Sequence, residues 1–125
     1  MPKTSKETAP NVTDLGVLQE RTDELGGYIV GFCHFREDGD ATPVFRGLPD
    51  DRCQSPHWGY VFSGKVTFRY ADHEETFEAG DAYYAPPGHI PVVTAGTEVV
   101  EFSPADKYRQ TMEVVASNMA AMMAG

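Results

Sequence analysis

Three side chains that can bind a metal ion lie within one short segment of the sequence. The segment DRCQSPH contains Asp51, Cys53 and His57, and His89 follows the sequence PPG further along the chain. Thiolate and imidazole are ligands that Zn²⁺ prefers in proteins. The residue types therefore indicate a metal site made by Cys53, His57 and His89. The alternative is a metal-free pocket or ordinary core, because free cysteine is among the most buried residue types.

The spacing of these residues predicts that they point in one direction. Alternate residues of an extended strand share a face, so positions 51, 53 and 57 project together if Pro56 does not interrupt the strand. The large aromatic residues that follow then project from the opposite face, into a core between two sheets or into a subunit interface. These residues are Trp58, Tyr60 and Phe62.

The segments around these residues are typical of β-strands. GGYIVGFCHFRE is rich in aromatic and β-branched residues, and the stretch from His57 to Phe102 is divided into short apolar segments by SG, ADHE, AGD, PPG and AG. Regular turn signals of this kind predict an all-β sandwich or barrel. Residues 1–12 mix Pro, Thr, Lys and Asn without periodicity, so we predict a disordered tail there and a β domain at residues 13–104.

One helix is predicted after the last strand, at residues 105–125. The sequence SPAD, with Ser103 as N-cap and Pro104 at the first helical position, is a typical helix start. Apolar residues then recur at spacings of four and three, which predicts packing on the outside of a sheet of the same or a second subunit. This stripe consists of Tyr108, Met112, Val115, Met119 and Met122.

Two groups of residues follow the spacing of known motifs. The segment YVF ends shortly before Gly64, and Gly80, Pro86 and Gly88 follow in GDAYYAPPGHIP. In these residues the chain resembles a small single-domain bacterial cupin over about residues 25–104, with Gly64 in a hairpin turn. The resemblance implies a double-stranded β-helix, the jelly-roll barrel of the cupin family, followed here by the C-terminal helix.

The metal ligands that the resemblance implies differ in this chain. The two histidines and the glutamate of the first cupin motif fall on Asp51, Cys53 and His57, and the histidine of the second falls on Pro91, two residues after His89. The usual set of three histidines and one carboxylate is therefore absent, but other metal-binding side chains occupy or adjoin these positions. We expect a divalent metal ion, with zinc favoured and iron, manganese or nickel as alternatives.

Composition limits the partners of the protein. The chain has 125 residues and a net charge of −9, so a nucleic acid would be repelled. It lacks the roughly 20 consecutive apolar residues that cross a bilayer, so no membrane partner is expected. The N-terminus does not resemble a secretory signal, which predicts a cytoplasmic location with Cys33 and Cys53 reduced. Exposed aromatic edges and the methionine stripe predict a homodimer.

The sequence leaves two main functions open. As an enzyme, the protein would use the metal to polarise a carbonyl group or activate water on a carbonyl or hydroxy compound, with Asp51, Tyr84 or Tyr83 transferring protons. As a non-catalytic module, it would bind or sense a ligand or metal, with Asp51 closing a four-ligand shell. Both functions predict a small organic ligand or a metal inside the barrel. A structural dimer without a site is the third possibility.

Overall fold

The chain folds into ten β-strands, two 3-10 turns and one α-helix over residues 2–124, which the structure, a computed structural model, describes. The strands are β1 Asn11–Asp14, β2 Leu18–Leu25, β3 Tyr28–Phe35, β4 Gly39–Asp40, β5 His57–Ser63, β6 Lys65–Arg69, β7 Glu74–Glu78, β8 Ala82–Ala85, β9 Ile90–Val93 and β10 Thr97–Pro104. Between β4 and β5 lie the 3-10 turns Thr42–Phe45 and Pro49–Asp51, and α1 is Ala105–Ala124.

The strands form two antiparallel sheets that pack face to face. The larger sheet has the order β1-β2-β3-β10-β5-β8, and the smaller sheet has the order β4-β9-β6-β7. From β3 to β10 most strands that are consecutive in sequence, such as β5 and β6, lie in different sheets, as in a jelly-roll barrel. The predicted all-β double-stranded β-helix with a C-terminal helix is confirmed.

The core between the sheets is built by the inward residues of the central strands. β3 and β10 pair over eight residues, from Tyr28 opposite Pro104 to Phe35 opposite Thr97. The apolar inward side chains of both sheets cluster between the layers, as the two-residue alternation of a strand requires. They include Cys33, Val61, Val66, Phe68, Tyr83, Ala85, Val93 and Val99.

The strands at one edge of the larger sheet contain few apolar residues. β2 has the polar sequence LQERTDEL, yet it pairs with β3 along its whole length, and β1 pairs with β2. The guanidinium group of Arg21 donates hydrogen bonds to two carbonyl groups of the N-terminal segment at 2.9 and 3.0 Å, and Ala9 is buried. The segment expected to form a disordered tail, residues 1–12, therefore contacts the sheet, apart from Met1, which lies outside the described residues.

Gly64 occupies a crossing between the sheets rather than a hairpin turn. β5 ends in the larger sheet at Ser63, and β6 begins in the smaller sheet at Lys65. A Cβ atom on Gly64 would lie 2.3 Å from Oγ1 of Thr97, and its φ of +75° is in the left-handed region. Glycine is thus required where the chain changes sheet.

Helix α1 covers one end of the barrel and does not pack on the outside of a sheet. It contacts the 3-10 turn Thr42–Phe45, whose apolar side chains meet those of the helix. Most of the predicted apolar stripe lines the interior, whereas Met122 is exposed. The inward members are Tyr108, Met112, Val115 and Met119.

The helix begins at Ala105 without the expected cap. β10 continues to Pro104, which pairs with Tyr28, so Ser103 is a strand residue. Its hydroxyl group lies 2.7 Å from Nδ1 of His57. The serine in SPAD therefore interacts with a side chain across the sheet instead of with the helix N-terminus.

Gly59 allows a tyrosine ring to cross β5. A Cβ atom on Gly59 would lie 2.4 Å from Cζ of Tyr83, which is in the neighbouring strand β8. We expect Gly59→Ala to lower the free energy of unfolding by about 1–3 kcal/mol, the usual cost of overpacking a filled core, as measured by urea denaturation.

The control for this substitution is Gly39→Ala, because a Cβ atom there would make only an ordinary 3.5 Å contact with Val93. The cost at Gly59 should also shrink in a Tyr83→Ala background, since the clash is with that ring. Equal effects of the two glycine substitutions would contradict this explanation.

Candidate metal site and its cavity

A backbone pair joins the two loops that carry Cys53 and His89. The amide of Cys53 donates to the carbonyl of His89 at 2.9 Å, and the carbonyl of Cys53 accepts from the amide of Gly88 at 2.7 Å. These bonds fix the two residues side by side where the sheets come together. His57 is the first residue of β5, four residues after Cys53.

The side chains of Cys53, His57 and His89 converge. One ligand atom from each lies within 4.8 Å of the other two. The Sγ atom of Cys53 is 3.6 Å from Nε2 of His57, and the two imidazole rings have centroids 4.9 Å apart. Cys53 and His89 are 2% and 1% exposed, so the cluster lies inside the protein.

Each imidazole has a hydrogen-bond partner at its Nδ1 atom. Nδ1 of His89 donates to the carbonyl oxygen of Pro86 at 2.8 Å, which leaves Nε2 without a proton and free to bind a cation. Nδ1 of His57 lies 2.7 Å from the Ser103 hydroxyl oxygen, which can accept its proton in the same way. Partners of this kind orient histidine ligands in metal sites.

Burial keeps the cluster uncharged in the absence of a cation. It lowers the pKa of both His57 and His89 to about 4 and raises the pKa of the Cys53 thiol to about 11. Neutral imidazole is the form that binds metals, and a divalent cation favours loss of the thiol proton. The donor set, its burial and its orientation therefore fit a divalent metal ion that takes nitrogen and sulfur ligands.

Two of the three side chains expected to transfer protons, Asp51 and Tyr84, lie outside this cluster. Asp51 is exposed in the 3-10 turn, with φ of +56°, and its carboxylate accepts a hydrogen bond from the amide of Gly47 at 3.0 Å. The turn interrupts the alternation on which the shared direction of residues 51, 53 and 57 was predicted. Tyr84 lies on the outer face of the larger sheet, 48% exposed, against Trp58. Its neighbour Tyr83 points inward.

A cavity of about 250 Å³ extends from the cluster through the barrel. Its wall is mostly apolar, with residues from both sheets, the 3-10 turn and α1. Thr111 of α1 lies 4.0 Å from the Cys53 sulfur, so the helix reaches the cluster itself. The volume suits a small organic molecule, since an engineered cavity of roughly 150 Å³ holds benzene.

Two carboxyl groups in this cavity were not found from the sequence, one on the buried Glu20 and one on the half-buried Glu101. Glu101 of β10 accepts a hydrogen bond from the Tyr83 hydroxyl at 2.6 Å, and Glu20 of β2 accepts one from the Tyr108 hydroxyl. Burial raises the pKa of both carboxyl groups, and the charge of Glu101 raises that of Glu20 further. The only available signal was the position of Glu101 between Val99 and Ser103 on the inward face of β10.

Glu20 makes the stability of the protein depend on pH. Its folded-state pKa lies above the unfolded value of about 4.3, so the folded state holds the proton more tightly and loses stability as the pH rises through the folded-state value. We expect Glu20→Gln to flatten the decrease in the free energy of unfolding as the pH rises above the unfolded-state pKa of about 4.3, measured by urea denaturation. Each unit of pKa difference corresponds to about 1.4 kcal/mol.

The exposed carboxylate of Glu78 supplies the control for this experiment. Glu78→Gln should keep the slope of the wild-type protein. A Glu20→Gln variant with the wild-type slope would contradict the effect of burial on Glu20.

Comparison with known proteins identifies the fold through solved structures. No family model and no curated protein sequence matches the chain. An RmlC-like cupin from Shewanella frigidimarina has a TM-score of 0.56 at 19% identity, with 82% of this chain and 89% of that chain covered. The polyketide cyclase RemF from Streptomyces resistomycificus has a TM-score of 0.57 at 15% identity, with 84% and 80% covered. FeII HppE has a TM-score of 0.55 at 10% identity, with 82% and 60% covered. The chain is a small protein of the cupin fold.

Proposed function

We propose that the protein binds a divalent metal ion, zinc in the first place, through Cys53, His57 and His89, and holds a small organic molecule beside it. The observation that supports this proposal best is the convergence of three buried ligand atoms within 4.8 Å of one another at the wall of a cavity. A structural core alone does not require two imidazoles and a thiol to meet in this way.

Zinc is favoured because of the thiol. Thiolate and imidazole form tetrahedral zinc sites, whereas iron, manganese and nickel sites in oxygen-rich shells use carboxylates. Asp51, the carboxylate expected from the sequence, lies in the exposed turn on the amide of Gly47. FeII HppE, a protein of similar structure, contains iron, so iron is the first alternative to test.

The proposed activity concerns a carbonyl or hydroxy compound. A bound metal would supply Lewis acidity toward a carbonyl oxygen or toward water. The chain contributes the orientation of its imidazoles through Ser103 and the carbonyl of Pro86. Tyr83 and Glu101, which share a hydrogen bond inside the cavity, are the groups that can hold and move a proton there. Of the three residues expected from the sequence to transfer protons, Tyr83 keeps this role in the proposal, and Glu101 takes it in place of Tyr84 and Asp51.

The alternative is a non-catalytic module that binds or senses the metal or the ligand. A closed structural zinc site has four protein ligands, whereas catalytic sites keep one position open. Three protein ligands beside a cavity favour the open arrangement, among the residues that the structure describes.

Metal content tests the proposed site directly. We expect the purified full chain, incubated with zinc and desalted, to retain about one equivalent of metal by elemental analysis. Cys53→Ser and His57→Ala should each lose it, because two remaining ligands do not hold zinc firmly. Ser103→Ala should weaken zinc affinity by about 10–100-fold through loss of the hydrogen bond to His57.

The matched control is His73→Ala, since His73 is exposed in the turn between β6 and β7. This variant should bind as much zinc as the wild-type protein. Zinc retained by both Cys53→Ser and His57→Ala, or absent from the wild-type protein, would refute the metal site, and uptake of iron alone would refute the choice of zinc.

The proposal includes a homodimer formed through the outer face of the larger sheet. This face exposes six large apolar side chains, each 40–50% accessible, and such a contiguous patch is unusual on a monomer. A second copy is the partner that can present a matching aromatic surface by twofold symmetry. The residues are Tyr28, Trp58, Tyr60, Phe62, Tyr84 and Phe102.

A cytoplasmic location also belongs to the proposal. Both cysteines are free thiols, and Cys53 has to remain reduced to bind the metal. The described part of the chain contains no helix long and apolar enough to span a bilayer.

The oligomeric state tests the proposed interface. We expect light scattering to give a dimer for the wild-type protein and a monomer for the Trp58→Glu, Phe102→Glu double variant, because buried unpaired charges oppose association. Thr76→Glu on the outer face of the smaller sheet is the control and should remain dimeric. A wild-type monomer would contradict the proposal.

A further inference from the structure

Glu101 is held in the cavity by an arrangement that spans three strands. It lies on β10, its partner Tyr83 lies on β8, and Gly59 of β5 lies between them in the sheet. The tyrosine ring occupies the space where a side chain at residue 59 would stand, and its hydroxyl reaches Oε2 of Glu101 at 2.6 Å. The position of this carboxyl group is therefore fixed by packing and by a hydrogen bond.

One oxygen of this carboxyl group remains without a partner. Oε2 accepts the Tyr83 proton, while Oε1 of Glu101 accepts no hydrogen bond from the described residues. Glu20 differs, because the Tyr108 hydroxyl and the Cys33 thiol contact its two oxygens. The side chain of Glu101 lines the cavity and is half-buried, so its free oxygen has accessible surface there.

The charges around the cavity determine what this oxygen can bind. The lining contains the carboxyl groups of Glu20, Glu37, Asp40 and Glu101, and it includes no lysine or arginine among the described residues. Asp40 is paired with Arg69 at 3.2 Å, but no lysine or arginine of the described residues pairs with Glu20 or Glu101. An anionic ligand beside Glu101 would therefore meet acidic groups without a compensating cation. A hydroxyl group can both donate and accept, so it pairs with Glu101 whether or not the carboxyl group carries a proton.

We propose that Oε1 of Glu101 binds the hydroxyl group of a small uncharged alcohol or phenol and selects this ligand over the corresponding apolar molecule and the corresponding anion. This inference deepens the proposed function by naming the ligand class of the cavity. It does not require the metal, because the subsite is made by Glu101, Tyr83 and the apolar wall alone. Glu101 is a specificity-determining residue in this proposal.

Three probes of similar size test the selection. Benzyl alcohol, toluene and benzoate are titrated into the metal-free full chain and followed by NMR. We expect benzyl alcohol to bind about tenfold more tightly than toluene, the usual effect of one added buried hydrogen bond, and benzoate to bind more weakly than benzyl alcohol. Benzylamine is included as a cationic probe and should not exceed benzyl alcohol.

The variant Glu101→Met removes the oxygen and keeps the length of the side chain. It should bind toluene at least as tightly as the wild-type protein, which shows that the cavity is intact, and lose the preference for benzyl alcohol. Glu98→Met is the control, since Glu98 lies on the same strand and faces outward. Glu101→Gln, which keeps an acceptor, should retain part of the preference.

Several outcomes would overturn the inference. In the wild-type protein, these are equal binding of toluene and benzyl alcohol, tighter binding of benzoate or benzylamine than of benzyl alcohol, or no binding of any probe. A preference for benzyl alcohol that persists in Glu101→Met would also overturn it. Repeating the titration with Cys53→Ser separates the two proposals. The variant should lose zinc and keep the alcohol preference, because Cys53 is not part of the Glu101 subsite. An alcohol preference in a wild-type protein that takes up no zinc would refute the metal site and leave the role of Glu101 standing.

Discussion

The candidate site depends on the backbone pair between Cys53 and His89. Cys53 precedes a strand of the larger sheet, and His89 precedes a strand of the smaller sheet. Two short amide–carbonyl bonds, one between Cys53 and His89 and one from the amide of Gly88 to the carbonyl of Cys53, hold the ends of the sheets together and remove the freedom of both loops. Since each side chain leaves a fixed backbone position, the convergence of thiol and imidazole requires no further ordering when a cation arrives.

The sequence predicted the fold well because the jelly roll has strong local signals. The apolar strands and the glycines between them, Gly64, Gly80 and Gly88, carry those signals. The polar strand β2 carries no such signal in its sequence. Its pairing with β3 depends on backbone hydrogen bonds and on the cavity that accepts the side chain of Glu20. Strand propensity reflects packing against neighbours, which a single sequence does not display.

The same limit explains which site residues could be predicted. Cys53, His57 and His89 have side chains that suggest metal binding at any position, and the structure brings them together. Asp51 was misjudged in direction because two consecutive residues with positive φ break the strand alternation before Cys53. Glu101 could not be distinguished from an exposed carboxylate, because its burial follows from the position of Tyr83 across Gly59, a contact between three strands.

The cavity combines groups that reduce stability with groups that position them. Buried carboxyl groups without a cationic partner are costly, and an apolar residue of similar size would pack there at lower free energy. The hydroxyl groups of Tyr83 and Tyr108 reduce this cost by donating hydrogen bonds to the two carboxyl groups. Gly59 leaves the space that the Tyr83 ring occupies. Departures from the most stable choice of residue tend to occur at functional sites.

Ser103 connects the metal site with the helix that covers the cavity. Its hydroxyl contacts His57, and its backbone leads within two residues into α1, whose Thr111 also approaches Cys53. A molecule that shifts the helix would thereby change the environment of His57, one of the proposed metal ligands. If a metal ion and an organic molecule both bind and are coupled through this helix, thermodynamic reciprocity requires each to alter the affinity of the other by the same factor.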